Sequence, residues 1–224
     1  MKTDFEIQRD VMAELQWEPL LDAPRIGVAV QDGVVTLSGT LDSYSKKLAA
    51  ETAVKRVSGV KAFAEDIQIS FLPNHEKTDT EIAEAVVYSL KWNTVILDDK
   101  IKVRVEDGVV KLEGEVEWEY QRRNAVRAVE NLSGVRSVMN LIVVKSKVTV
   151  FDVEKKISAA FQRSANIDAK QIKVHVDGTE VVLTGTVRSF AEKDDAEAAC
   201  WAAPGIFHVK NNLVIEEPEF SFDD

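Results

Sequence analysis

The sequence has little cysteine, histidine and proline: one, three and five residues respectively among 224. The single cysteine, Cys200, excludes an internal disulfide and so permits a reducing compartment. No apolar run approaches the roughly 20 residues of a transmembrane helix. The opening segment is too polar to contain the core of a signal peptide. We therefore expect a cytoplasmic protein, with a periplasmic location only if an export signal has been removed.

Basic charge is also scarce. The chain has 28 Lys and Arg against 38 Asp and Glu, a net charge of −10, which leaves no basic field to attract nucleic acid. We expect no nucleic-acid partner. The charge is uneven, because residues 1–72 carry a net −3, residues 73–148 a net −1 and residues 149–224 a net −6. The middle segment is therefore the one best able to approach an anion.

The sequence does contain a repeat. Residues 3–7, Thr-Asp-Phe-Glu-Ile, recur 75 positions later as Thr-Asp-Thr-Glu-Ile, and a further offset of 71 aligns a third copy. Nine of the ten glycines fall into three equivalent sets: Gly33, Gly39 and Gly59; Gly108, Gly114 and Gly134; Gly178, Gly185 and Gly205. We predict three domains, over residues 1–72, 76–147 and 148–217, and an acidic tail over residues 218–224.

Each repeat predicts the same order of elements. It begins with an amphipathic helix, whose apolar residues recur at i, i+4 and i+8: Ile7, Val11 and Leu15; Ile82, Val86 and Leu90; Val153, Ile157 and Phe161. Two alternating strands follow, joined by an Asp-Gly turn, and the second strand closes on a glycine that allows a close backbone approach: Gly39, Gly114 or Gly185. A second helix, over residues 43–57, 118–132 and 190–202, ends at a left-handed glycine: Gly59, Gly134 or Gly205. A third strand is predicted over residues 60–69, 135–144 and 206–215.

This order defines the fold class as α+β, with three tandem αββαβ units. The connection between the second and third strands contains a helix and is long enough for a right-handed crossover, which makes those strands parallel. Each unit is then a three-stranded mixed sheet with two helices packed on one face. In the second unit the outward residues of the last strand, Leu141 and Val143, are apolar. We predict that this sheet face, or at least its last strand, packs against a neighbouring repeat.

The pattern resembles the BON domain family. The resemblance lies in the strand glycines and in the endings Gly134-Val135-x-x-Val138-x-Asn140-x-Ile142 and Gly205-Ile206-x-x-Val209-x-Asn211-x-Leu213. The first repeat departs from this ending, with Phe63 and Glu65 at the corresponding places. The resemblance implies a non-catalytic binding module of bacterial osmotic or envelope stress, in several members thought to contact phospholipid or membrane surfaces.

No motif for catalysis or for a bound cofactor is present. The sequence has no nucleophile elbow, no Walker-type loop and no Gly-x-Gly-x-x-Gly. We interpret the scattered His75, His175 and His208 as surface residues, since a zinc site needs three or four convergent ligands. The acidic runs lack the pattern of a calcium loop and are interpreted as solvated edges: Asp98-Asp99, the glutamates at 113, 115, 117 and 119, and Asp194-Asp195. We predict no enzyme, no cofactor and no metal.

One aromatic and basic cluster stands out, at the start of the second helix of the middle repeat. It comprises Trp118, Tyr120, Arg122, Arg123 and Arg127. Such a cluster is able to contact a lipid head group or another anion, and an ordinary solvated helix face is the competing interpretation. Trp17 and Trp92, equivalent residues after the first helix, are either interfacial anchors or, as we expect, covers for the base of their cores.

Two functional hypotheses remain. The first is a non-enzymatic binding protein of bacterial stress physiology that contacts anionic lipid head groups, a membrane surface or an envelope component. The second is a cytoplasmic module that binds a small ion or a protein partner, or forms a homo-oligomer, without affinity for membranes.

Overall fold

A computed structural model describes residues 2–71, 76–93, 100–145 and 152–216. Each repeat contains the predicted helix, hairpin, helix and strand, and a short 3-10 helix, Ala23–Arg25, precedes the first strand. The elements of the first repeat are α1 (Asp4–Trp17), β1 (Ile26–Gln31), β2 (Val34–Leu41), α2 (Tyr44–Arg56) and β3 (Ala62–Ile69). Those of the second are α3 (Asp79–Trp92), β4 (Ile101–Glu106), β5 (Val109–Val116), α4 (Glu119–Glu130) and β6 (Ser137–Val144). Those of the third are α5 (Val153–Arg163), β7 (Ile172–Asp177), β8 (Glu180–Val187), α6 (Phe190–Trp201) and β9 (His208–Ile215).

Three separate mixed sheets form, with the orders β1-β2-β3, β4-β5-β6 and β7-β8-β9. The hairpin strands pair antiparallel, with Ile101 opposite Gly114 and Ile172 opposite Gly185. The crossover strands pair parallel, with Gly114 opposite Ile142 and Gly185 opposite Leu213. The predicted α+β class, with three αββαβ units, is confirmed.

The chain divides into two compact units. The first contains the described parts of residues 1–39, 49–67 and 151–224, and the second those of residues 40–48 and 68–150. Within the first unit, the rings of Phe63 and Phe190 meet edge to face with centroids 5.4 Å apart. The Lys55 ammonium lies 3.0 Å from a carboxylate oxygen of Glu51 and 3.0 Å from one of Asp194.

The core of each repeat contains the helix stripe predicted from periodicity. The apolar stripes of α1, α3 and α5 are buried, as are the inward residues of the middle strands: Val35 and Leu37, Val110 and Leu112, Val181 and Leu183. Cys200 is fully buried on α6. Burial, with a smaller effect of Glu197, raises the pKa of the Cys200 thiol to about 12.

Gly39, Gly114 and Gly185 lie two residues before the end of β2, β5 and β8, and they permit close contact between the hairpin strands. A Cβ atom on Gly114, where φ is +149°, would lie 2.1 Å from the carbonyl oxygen of Lys100. Gly39 and Gly185 have the same constraint, with carbonyl oxygens 2.3 and 2.0 Å away. Close approach at these three positions is therefore confirmed, and the helix-terminal Gly59, Gly134 and Gly205 have the predicted positive φ.

The first residue of the opening helix binds the hairpin turn in two repeats. The Asp79 carboxylate accepts the backbone N–H of Asp107 and of Gly108, both at 2.9 Å. Asp4 binds Asp32 and Gly33 in the same way, at 2.8 Å. This contact joins two elements that are distant in sequence, so it fixes the helix against the sheet.

The asparagine of the family ending protects the outer edge of the sheet. The side-chain oxygen of Asn140 accepts the N–H of Ile142 at 3.1 Å, and that of Asn211 accepts the N–H of Leu213 at 3.2 Å. β6 and β9 are the last strands in their sheets, so these N–H groups are satisfied without another strand. Asn211 also donates to the carbonyl of Lys193 and to Glu197 on α6.

Two expectations are corrected. The third strand begins two residues later than predicted in each repeat. Val60, Val135 and Ile206, which follow the glycine at the end of the second helix, are buried but belong to the connection before the strand. The outward row of β6 does not become buried, since Met139, Leu141 and Val143 are 49%, 47% and 44% exposed. His75, Asp98, Asp99, the domain boundary at 147–148 and the acidic tail 218–224 lie outside the described residues.

Gly114→Ala should lower the free energy of unfolding by about 2–4 kcal/mol, because the new Cβ has to displace the Lys100 carbonyl and hold a positive φ. Gly178→Ala is the matched control. Gly178 has a positive φ but no atom within 4 Å of the added Cβ, so about 1 kcal/mol is expected. Urea unfolding of both variants measures the difference, and equal losses would contradict the close-contact explanation.

Asp79→Ala should cost about 1–3 kcal/mol of folding stability, because two turn N–H groups lose a charged acceptor. Glu84→Ala removes the same charge from an exposed site on the same helix and should change stability by less than about 0.5 kcal/mol. Thermal unfolding compares the two variants. A similar effect of both substitutions would show that Asp79 acts only through net charge.

The Cys200 thiol should not react with an aromatic disulfide reagent at pH 8 in the native protein, because it is buried and its pKa is about 12. Addition of denaturant should release stoichiometric reaction. Absorbance of the released aromatic thiolate measures the reaction before and after denaturant is added. Rapid reaction of the native protein would contradict the burial.

Candidate functional site

The predicted aromatic cluster forms at the start of α4. The rings of Trp118 and Tyr120 stack with centroids 6.5 Å apart and planes inclined by 21°. The buried Gln121 holds the loop before the helix, since its side-chain oxygen accepts the N–H of Glu117 at 3.0 Å and of Trp118 at 3.1 Å. Tyr120 is 46% exposed and Trp118 is half-buried. The sequence therefore places a stacked aromatic pair here, with Tyr120 as its solvent-facing member.

The three arginines of the cluster have different environments. Arg122 forms an ion pair with Glu119 at 2.6 Å, and both side chains are largely covered. Arg123 and Arg127 are exposed, and neither forms an ion pair with any residue that the structure describes. Tyr120, Arg123 and Arg127 are spaced i, i+3 and i+7, so they share one face of α4. Only two of the three predicted arginines are therefore available to an anion.

This arginine pair belongs to the second repeat alone. The positions equivalent to Arg123 and Arg127 hold Leu48 and Thr52 in the first repeat. In the third repeat they hold Asp194 and Ala198. The αββαβ fold forms without two arginines at these places, so the pair is not a requirement of the fold.

Trp17 and Trp92 do not cover their cores. Trp17 is 83% exposed and Trp92 is 69% exposed, so the expected packing role is wrong for both. Each tryptophan follows the last buried leucine of its helix by two residues, which turns it about 200° away from the sheet. The alternative interpretation, an interfacial anchor, requires this exposure.

The end of α3 carries further exposed residues that the sequence analysis missed. Val87, Tyr88, Lys91 and Trp92 are all exposed, and the Tyr88 and Trp92 rings lie 5.9 Å apart. The sequence does indicate this exposed pair, because Tyr88 and Trp92 are four residues apart and lie off the buried stripe. The equivalent residues are Met12, Ala13, Gln16 and Trp17 in the first repeat, and Ser158, Ala159, Gln162 and Arg163 in the third. The second repeat is the one that combines two aromatic rings with a cation at this position.

α3 and α4 lie side by side. The Ser89 hydroxyl donates to the carbonyl of Ala128 across the two helices at 2.7 Å. Both helices bury one stripe against the sheet, so their exposed residues occupy the outer side of the same two-helix layer. We call this side, with Tyr88, Lys91, Trp92, Arg123 and Arg127, the helical face of the second repeat.

A shallow groove of about 790 Å³ lies on this face, between the two helices. It is lined by residues on or just after the two helices: Ala85, Tyr88, Ser89, Trp92 and Asn93 from α3, and Ala128 and Leu132 from α4. Glu81 and Glu84 lie at the end nearer the start of α3. Glu81 belongs to the helix cap, where hydrogen bonds from the backbone of Thr78 and from Lys77 keep its pKa below the usual range. The groove therefore has an acidic end and an aromatic end.

The remaining polar candidates are used in local contacts. Glu113 pairs with Lys111 and Glu115 with Lys145, while Asp195 accepts a hydrogen bond from Asn166 at 3.2 Å. His175 and His208 are exposed, as predicted. Within residues 2–71, 76–93, 100–145 and 152–216, no group of three or more His, Cys, Asp or Glu side chains is placed to hold a metal ion.

Glu192 is a buried carboxylate that the sequence analysis did not single out. It is the third-repeat equivalent of Gln121, and it accepts the N–H groups of Asp168 at 2.7 Å and of Arg188 at 2.9 Å. The Arg188 guanidinium lies 3.1 Å from the same carboxylate. These donors account for its burial, and through them Glu192 holds the loop before α6 in place.

Comparison with known proteins agrees with this architecture. Residues 3–70, 78–146 and 149–217 each match the BON domain, and the chain belongs to the BON domain family. Among individual proteins, it is similar to osmotically-inducible protein Y of Escherichia coli (strain K12), with 34% identity over 65 residues. That match covers 29% of this chain and 32% of the relative, so it spans about a third of each protein.

Among solved structures, two of CdsD, a structural protein of the type III secretion system of Chlamydia trachomatis, align over 96% of this chain. The alignments cover 94% and 100% of those chains, with 18% and 16% identity. Both have a TM-score of 0.26, which is too low to define a shared overall arrangement. Among the described helices, none has the length and apolar character needed to cross a bilayer.

Proposed function

We propose that this chain is a non-enzymatic protein that binds anionic phospholipid surfaces through the helical face of its second repeat. The observation that carries the proposal is the combination on one face of an exposed Tyr88–Trp92 pair with Arg123 and Arg127. The other two repeats have the same scaffold without this combination. The face is therefore specific to the second repeat, and the fold does not require it.

The chemistry of the face fits a lipid–water boundary. Tryptophan and tyrosine rings favour the head-group region, because they are apolar with one polar end. Arginine forms paired hydrogen bonds to phosphate, and each cation near an anionic membrane surface contributes about 1 kcal/mol. The second repeat also has the least negative charge of the three, so it is the least repelled by such a surface.

The physiological setting is proposed from the relative. Osmotically-inducible protein Y is named for its induction by osmotic stress, and we propose a related stress or envelope role for this chain.

A second candidate function is binding of a protein partner through the outer sheet face of the second repeat. Met139, Leu141 and Val143 form an exposed apolar row there. The equivalent rows are more polar: Ala64, Asp66 and Gln68 in the first repeat, and Lys210, Asn212 and Val214 in the third. This row lies on the opposite side of the sheet from the helices, so substitutions on the helical face separate the two functions.

The protein should co-sediment with phosphatidylglycerol-containing vesicles at low salt, and much less with pure phosphatidylcholine vesicles or at about 0.5 M salt. Arg123→Ala/Arg127→Ala should weaken vesicle binding about tenfold or more, because two cations near the surface are lost. Tyr88→Ala/Trp92→Ala should weaken binding to a similar extent.

Two variants serve as matched controls. Trp17→Ala removes the equivalent exposed tryptophan of the first repeat, and Lys155→Ala/Lys156→Ala removes two exposed cations from the third. Both should retain vesicle binding. Loss of binding in the controls to the same degree, or no sedimentation of the unmodified protein at low salt, would rule out the proposed face.

A further inference from the structure

The first strand of each repeat forms one edge of its sheet, and in two repeats the opening helix caps that edge. In the first repeat, the Gln8 side chain on α1 donates to the carbonyl of Val28 on β1 at 2.7 Å. In the third repeat, the Glu154 carboxylate on α5 accepts the N–H of Val176 on β7 at 3.2 Å. Gln8 and Glu154 are equivalent, because each follows the first buried residue of its helix. Each occupies a backbone group that would otherwise be open to a further strand.

The second repeat lacks this cap. The equivalent residue on α3 is Ala83, which has no polar side-chain atom. The carbonyl of Val103 and the N–H of Val105, on β4, correspond to the groups that are capped in the other repeats. In the part of the chain that the structure describes, neither a side chain nor another strand bonds to these two groups. The edge of β4 is therefore open to an additional strand.

The outer face of this edge is positively charged. Lys102 and Arg104 are exposed there, and the Arg104 side chain is 71% exposed. Arg104 lies 3.0 Å from Glu106, but an ion pair between two such exposed groups is weak and is exchanged at little cost. A hydrogen bond from Lys111 on β5, helped by the charges of Lys102 and Arg104, keeps the pKa of Glu113 below its usual range. An added strand with acidic side chains on this face would be attracted to the edge.

The other face of the edge is apolar. Val103 and Val105 are half-buried and lie on the side of the sheet that carries the helices. Ala83 occupies the place from which the longer side chains of the other repeats reach the edge. Because successive side chains of a strand point to opposite faces, the edge fits a segment in which acidic and apolar residues alternate.

A second copy of β4 fits this edge poorly. In antiparallel pairing, the outward backbone groups of one strand have to meet those of the other. The two registers that overlap most of the strand then place Arg104 opposite Arg104 of the other copy, or Lys102 opposite Arg104. Like charges in directly opposite positions destabilise a sheet. The charges therefore favour an acidic partner over self-association.

We propose that the β4 edge binds an extended segment of a partner protein in which acidic and apolar residues alternate. The main chain of the segment bonds to Val103 and Val105, which adds a strand to the sheet of the second repeat. Its acidic side chains contact Lys102 and Arg104. The site is separate from the lipid-binding face on α3 and α4, and from the apolar row on β6 at the other edge of the sheet.

The probe is a fluorescein-labelled peptide that alternates glutamate and valine over the length of β4, and it is added to the full chain at low salt. Fluorescence anisotropy should show saturable binding that weakens as the salt concentration rises. The same peptide with lysine in place of glutamate should bind about tenfold more weakly or worse. A glutamate peptide with N-methyl groups on the amides that face β4 should also lose binding, because strand addition depends on main-chain hydrogen bonds.

Ala83→Gln transplants the cap of the first repeat to the second. We expect this variant to bind the glutamate peptide about fivefold more weakly, because the Val103 carbonyl then has a partner within the chain. Glutamine is neutral, so it adds no repulsion of the peptide. Gln8→Ala is the matched control, since it opens the edge of β1, where the outward residues Gly27 and Ala29 are uncharged. It should add no second site for the peptide.

Lys102→Glu/Arg104→Glu should reverse the preference, so that the lysine peptide binds and the glutamate peptide does not. Arg123→Ala/Arg127→Ala removes the cations proposed to contact lipid, and it should bind the glutamate peptide like the unmodified protein. Hydrogen exchange provides a local readout, because the bound peptide should protect the N–H of Val105. Circular dichroism and thermal unfolding confirm that the variants fold.

Any of several results would overturn the edge site. These are no saturable binding of the glutamate peptide, equal binding of its N-methylated form, unchanged binding by folded Ala83→Gln, or a second site in Gln8→Ala. Light scattering tests the other occupant: a dimer that Ala83→Gln dissociates would assign the edge to a second copy of the chain. Vesicle binding is measured separately, so failure of the edge site is distinguished from failure of the lipid-binding face.

Discussion

Burial of one stripe on each helix against a three-stranded sheet controls everything else in this structure. A domain of this size has a small core, so each helix has to direct its few large apolar residues inward. In the second repeat, Ile82, Val86 and Leu90 on α3 and Ala125 and Val129 on α4 are almost fully buried. Because these residues fix how each helix is rotated, they also determine which side chains face solvent. The Tyr88–Trp92 pair and the Arg123–Arg127 pair are exposed for that reason.

Three copies of one scaffold in one chain act as internal controls for function. The residues shared by the copies are those that the fold needs, such as the strand glycines and the buried stripes. Residues present in only one copy are not required by the fold. By this criterion the second repeat is distinguished by an arginine pair on α4 and by two aromatic rings at the end of α3. The proposed lipid contact rests on these differences.

Periodicity and glycine spacing predicted the fold well, because both record constraints that are local or strictly geometric. The stripe Ile82, Val86 and Leu90 identifies a buried helix face without knowledge of its neighbours, and Gly114 signals a close approach that excludes a Cβ. The surface was predicted less well. Arg122 belongs to the same sequence cluster as Arg123, yet it pairs with Glu119 one turn earlier. Trp92 was assigned to packing by its size, although its position two residues after Leu90 turns it to solvent.

The asparagine on the last strand affects how the repeats fold during synthesis. Similar sheets that emerge one after another from the ribosome remain at high local concentration, and each has an unpaired border able to recruit a sibling. Asn140 and Asn211 occupy hydrogen-bond donors at two of those borders. By closing these positions from within, the second and third copies discourage exchange of strands during synthesis, which helps three modules of the same fold to form separately on a single polypeptide.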